Sequence, residues 1–134
     1  MAVTEHSRAG LERARARWWA TVSTGDLDGY LALFADDAVW VTSELEEIEG
    51  IDAIRAWLAP VFAQFDYEIT ITVADVRVAG NLGIERARFL SRMTPKDAPA
   101  GGDAPQAGRF LMYWRWHDDV GWLVQRYADV TGVV

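Results

Sequence analysis

The feature that most constrains this chain is a change of apolar period near Phe65. Before it, apolar residues recur at helical spacing. Leu11, Ala14, Trp18 and Val22 form one stripe, with Arg8, Glu12, Arg13, Arg15 and Arg17 elsewhere, and Ile54, Trp57, Leu58, Val61 and Phe62 form another. After it, Tyr67, Ile69, Ile71 and Val73 alternate with Glu68, Thr70 and Thr72, which is the two-residue period of a strand with one buried face. Helices first and strands afterwards, in 134 residues, predict one α+β domain: three N-terminal helices packed on a strongly curved antiparallel sheet, a cone with an internal pocket.

Local signals divide these regions further. Gly25 ends the first helix, and Asp26 is the expected N-cap of a short second helix carrying Leu27, Tyr30, Leu31 and Phe34, closed by Asp36-Asp37. Val39 to Glu44 reads as a strand, and Gly50-Ile51-Asp52 opens the third helix, in which Pro60 predicts a kink or an early end. The apolar parity switches between Val73 and Val76, predicting a β-bulge at Ala74-Asp75. Gly80-Asn81 turns into a strand from Ile84 to Met93. The stretch from Pro95 to Pro105 has loop composition, and Arg109–Trp116 with Trp122–Val130 forms a last hairpin.

Charge and composition narrow the function. A net charge of −7 disfavours nucleic acid, which needs a basic surface, and anionic membranes likewise. No apolar run approaches the roughly 20 residues of a membrane span, and the N-terminal segment has no signal-peptide stretch, so a cytoplasmic location is expected. Cysteine is absent, which removes disulfides, thiolate metal sites and cysteine nucleophiles. With His6 and His117 the only histidines, no metal site is expected, and the acidic run Glu44-Leu45-Glu46-Glu47-Ile48-Glu49 reads as a solvated loop. Seven tryptophans remain to be explained. Large rings carrying one N–H donor suit both a core and the wall of a pocket for a small apolar molecule.

The segment Gly25 to Ala38, GDLDGYLALFADDA, resembles the start of ketosteroid isomerases and of the wider nuclear transport factor 2-like and SnoaL-like polyketide cyclase-like proteins. GIDAIRAW, Gly50 to Trp57, is similar to their third-helix entry, and the terminal W-R-W…G-W-L-V pattern to their last hairpin. The resemblance implies the cone fold. It says little of activity, because the superfamily hosts isomerases, cyclases, hydrolases, dehydratases and binders. The isomerases' aspartate base aligns with Thr42, their tyrosine donor with Trp18, and their protonated aspartic acid falls near Met112, so ketosteroid-type isomerisation is not expected.

Strand alternation then sorts the candidate site. Trp40, Thr42 and Glu44 share one face, as do Met112, Trp114 and Trp116, leaving Tyr113 and Arg115 outside. Glu85, Ala87, Phe89, Ser91 and Met93 share a face opposite Arg86, Arg88 and Arg92. On the last strand Val124, Arg126, Ala128 and Val130 are expected to point inward. An inward Arg126 needs a partner, with Glu44 and Glu85 the candidates. It forms either a structural ion pair or a catalytic pair in which a desolvated glutamate is the base and arginine holds an oxyanion. The expected catalytic residues are therefore Glu44, Arg126 and Glu85. The expected ligand wall is Trp18, Tyr30, Trp40, Thr42, Trp57, Phe89, Met112, Trp114 and Trp116. A cofactor-independent isomerase, cyclase or hydratase acting on an apolar carbonyl or polyketide-like substrate is one reading. A non-catalytic binder, or a module that dimerises through the outer sheet face using Leu90, Tyr113 and Tyr127, is the other.

Overall fold

The computed structural model describes residues 5–42, 46–98 and 105–133. Its elements run α1 (Arg8–Thr24), α2 (Leu27–Leu31), β1 (Phe34–Val41), β2 (Ile48–Glu49), α3 (Ile51–Gln64), β3 (Phe65–Ala79), β4 (Leu82–Pro95), β5 (Gln106–His117) and β6 (Gly121–Val133). The change of period at Phe65 is thus the junction between the last helix and the long sheet.

The helix ends follow from their residues. The Ser7 hydroxyl accepts the Gly10 amide at the start of α1, and Gly25 closes the helix with φ 71°, a left-handed conformation that costs a glycine little. Asp26 caps α2 by accepting the Gly29 amide. The apolar stripe of α1 (Leu11, Ala14, Trp18 and Val22) is buried against the sheet. Trp19 Nε1 donates to the Ile69 carbonyl at 2.7 Å, tying the helix to the edge strand β3.

The six strands form one sheet in the order β2-β1-β6-β5-β4-β3. β3 to β6 are successive antiparallel neighbours, as expected from the hairpins. The sheet is nevertheless mixed, because β1 runs parallel to β6. No turn joins these two strands, and the chain between them contains α3 and the rest of the sheet, so nothing imposes antiparallel pairing. The bulge in β3 lies where parity predicted it: Val73 pairs with Ala87 and Asp75 with Arg86, leaving Ala74 unmatched.

Two local expectations are corrected. β1 begins at Phe34, so Phe34, Asp36 and Asp37 belong to a strand and not to the end of a helix. Pro60 does not end α3, and the helix continues to Gln64. Pro60 and Ala56 are both exposed, so solvent can satisfy the carbonyl that Pro60 leaves without an amide. Among the described residues no helix is long and apolar enough to cross a membrane.

Candidate active site

Helices and sheet enclose a cavity of about 300 Å³ between α1, α2, α3 and the inner face of β1, β3, β4 and β6. Each element contributes through its inward register. Trp18 comes from the buried stripe of α1, Tyr30 from α2, Trp40 from β1, Phe62 from α3, Phe89 from β4 and Tyr127 from β6. Many of these rings meet at steep angles. Trp40 stands edge-on to Trp57 at 5.0 Å and to Tyr127 at 4.5 Å, and Trp18 is tilted against Tyr30 at 5.8 Å. Rings set this way wall a box instead of collapsing into one stack.

A carboxyl group opens into this ring cluster's space from β6. Asp129 lines the cavity, and among the described residues no lysine or arginine forms an ion pair with it. Burial pushes its carboxyl above the usual aspartate range. The neighbouring Trp40 indole opposes the rise, although its N–H falls short of hydrogen-bond geometry. Three phenols surround the same space. Burial raises Tyr30, Tyr67 and Tyr127 above the ordinary tyrosine value, so all three keep their protons and serve as donors. At the wall's rim, Asp66 and Lys96 are the other charged residues, with Lys96 Nζ donating to the Phe62 carbonyl at 3.1 Å.

Of the expected wall, Trp18, Tyr30, Trp40, Trp57 and Phe89 line the cavity. Met112, Trp114 and Trp116 are buried with the inward parity expected, but they pack elsewhere in the core. Trp114 donates to Glu85, and Trp116 stacks on His6 at 4.4 Å. Thr42 follows the end of β1 and is not part of the wall. Glu44 lies outside the described residues.

The expected Arg126–glutamate pair is corrected. Tyr113 pairs with Arg126 and Trp114 with Val124, so Gln125 is an extra residue in β6. This bulge reverses the parity of everything after it. Val124 still faces inward, but Arg126 and Val130 are exposed, and Tyr127 and Asp129 take the inner face. Arg126 Nη1 donates to the Gln125 carbonyl at 2.7 Å, and Gln125 Nε2 donates to Asp37 Oδ1 at 2.7 Å. Asp37 is held below its usual range chiefly by that amide, with Arg126 adding to it. Glu85 finds its partner on α1 instead. Arg15 Nη1 donates to Oε1 at 2.9 Å and Trp114 Nε1 to Oε2 at 3.2 Å, with the carboxylate fully buried and away from the cavity.

A curved sheet closed by three helices around an aromatic box defines a small α+β cone. The SnoaL-like domain family matches residues 16–122, and the chain belongs to it. Solved structures with the same fold include a ketosteroid isomerase-like protein from Erwinia carotovora atroseptica, with 18% identity over 90% of this chain and 92% of that one and a TM-score of 0.77. A conserved protein from Planctomyces limnophilus matches at 16% identity over 92% and 94%, with a TM-score of 0.80. A nuclear transport factor 2-like superfamily protein from Salmonella enterica serovar Typhimurium matches at 14% identity over 94% and 90%, with a TM-score of 0.75. At such identities these structures show the fold alone. No curated protein matches the chain in sequence.

Proposed function

We propose that this chain is a cofactor-independent enzyme that moves a proton on an apolar carbonyl compound held in the aromatic cavity, with Asp129 as the base. The observation that carries this reading is a carboxyl group in a largely apolar box that, among the described residues, forms no ion pair. A carboxylate raised by burial is a stronger base than one in water, and it holds no ion pair that would have to break first. Taking the proton beside a carbonyl leaves charge on the carbonyl oxygen. Protonated phenols such as Tyr30 and Tyr127 supply donors for that oxygen. The proton then returns from the Asp129 carboxyl to another carbon or to the oxygen. SnoaL-like family membership and the cone fold are consistent with a small-molecule pocket.

The test is proton exchange. In deuterated buffer, the protein is expected to accelerate exchange of the α-protons of flat steroidal or aromatic ketones that quench its tryptophan fluorescence saturably. Asp129→Asn is expected to slow that exchange by about 10²–10⁴-fold while quenching persists. Saturable quenching with no exchange would leave a binder without chemistry and end the enzymatic reading.

We also propose that two copies pair through the outer sheet face. Ile84, Leu90, Leu111 and Val130 on that face are each about half exposed, which favours a covered surface. Tyr113 belongs to the same face, whereas Tyr127 is a cavity residue and does not. Sedimentation velocity at micromolar concentration is expected to give a dimer that Leu111→Glu converts to monomer. A monomeric wild type would overturn this.

A further inference from the structure

The charge and ring content of the cavity select among ligands more sharply than its size does. Among the described residues its wall carries two carboxyl groups, Asp66 and Asp129, and one ammonium, Lys96, which also donates to the Phe62 carbonyl. No arginine among the described residues lines it. The groups facing Asp129 from the packed elements are Tyr30 of α2, Tyr67 of β3 and Tyr127 of β6, all neutral phenols, together with the Trp40 indole of β1. An ionised Asp129 therefore has, among the described residues, no ion-pair partner within a box of rings. Each ring presents a negative face, strongest for tryptophan, and such faces attract cations most when water is excluded. The net charge of −7 adds a long-range field of the same sign.

We propose that the cavity binds hydrophobic ammonium ions, with the Asp129 carboxylate as counter-ion and the rings of Trp40, Trp57 and Tyr127 as the cage. This rests on the reading of the cavity as a ligand site, and it names a ligand class beyond the neutral carbonyls. The two classes use Asp129 differently. A neutral carbonyl compound meets the carboxylate as a base and needs no charge of its own, whereas an ammonium ion takes it as a counter-ion. Burial raises the Asp129 pKa, so an entering cation favours the ionised form that the empty apolar box resists. Ammonium affinity is consequently lost as pH falls through the Asp129 pKa, with the phenols uncharged throughout.

The experiment compares phenyltrimethylammonium with its uncharged isostere tert-butylbenzene by tryptophan fluorescence between pH 5 and 9. The quaternary ion does not titrate, so any pH dependence belongs to the protein. At pH 8 the ammonium ion is expected to bind about tenfold tighter than the isostere, with the preference shrinking as the pH is lowered. Asp129→Asn is expected to remove most of that preference and leave tert-butylbenzene binding unchanged. Trp57→Leu, at a position 38% exposed, is expected to weaken the ammonium ion more than the isostere. Equal or tighter binding of tert-butylbenzene, or ammonium affinity indifferent to Asp129→Asn, would overturn the ammonium proposal and leave the cavity as a site for neutral ligands. Binding of neither compound would overturn both this proposal and the ligand-site reading on which it rests.

Discussion

Replacing Arg15 by methionine is expected to destabilise the protein by about 3 kcal/mol at pH 7 and hardly at all near pH 4. Arg15 Nη1 is 2.9 Å from a Glu85 carboxylate that has no exposed surface, and the arginine side chain itself is only 15% exposed. Without it the carboxylate keeps only the Trp114 N–H, and a buried charge so exposed to low dielectric is costly. The loss has a ceiling, because Glu85 can escape by taking a proton. Doing so costs about 1.4 kcal/mol per pH unit above the unfolded-state value, which is 4.5 for this glutamate. The sign follows from the direction of the shift. Burial already raises Glu85, with Arg15 and Trp114 opposing that rise, so removing Arg15 raises it further. A raised carboxylate has its full stability below the unfolded pKa and loses it as pH climbs through the folded one. The difference between Arg15→Met and wild type in urea melts should therefore widen from pH 4 to pH 7. Adding Glu85→Gln to Arg15→Met should recover most of it. A pH-independent difference would mean that lost packing of the arginine stem, not its charge, is the cause.

Trp18→Ala is expected to cost about 3–5 kcal/mol, the range for removing a large aromatic side chain from a packed core. Trp18 is 2% exposed and touches the rings of Tyr30, Phe110 and Tyr127. It is at once a core residue of α1 and a wall of the cavity, so its removal both opens a void and joins it to the existing space. Trp18→Phe should cost much less, since its Nε1 makes no hydrogen bond that phenylalanine would forfeit. Thermal or urea unfolding of the two variants decides this. Similar losses for both would assign the stabilisation to the indole N–H rather than to ring volume.

Much of the fold was legible because amphipathic elements write their burial into their period. The α1 stripe, the β3 alternation and the inward sets of β4 and β5 are all repeated patterns, and each appears as written. The Ala74 bulge was legible too, since the apolar set itself changes parity there. The bulge at Gln125 was masked. Val124 and Tyr127 do change parity, but Ala128 and Val130 continue the old one, so the strand reads as unbroken. That single ambiguity hid Tyr127 and Asp129 and put Arg126 in their place. Depth was the other illegible quantity. Parity gives Met112, Trp114 and Trp116 the correct face of β5, but not their distance along the strand from the cavity. The parallel pairing of β1 with β6 joins segments far apart in the chain, and no local pattern records it.

The placement of Gln125 has a consequence for how such a wall can be rewritten. A substitution in β6 alters one surface point at a time. Deleting Gln125 itself would leave Val124 opposite Trp114 and Arg126 opposite Tyr113, but gaining one residue just after it would turn the remainder of the strand over. The same codons would then offer arginine, alanine and valine to the interior and expel the tyrosine and the aspartate. For this wall, the gain of a single triplet is a larger chemical step than any exchange of one amino acid for another. Descendants that differ by one such triplet would share nearly every letter of β6 and none of its interior chemistry.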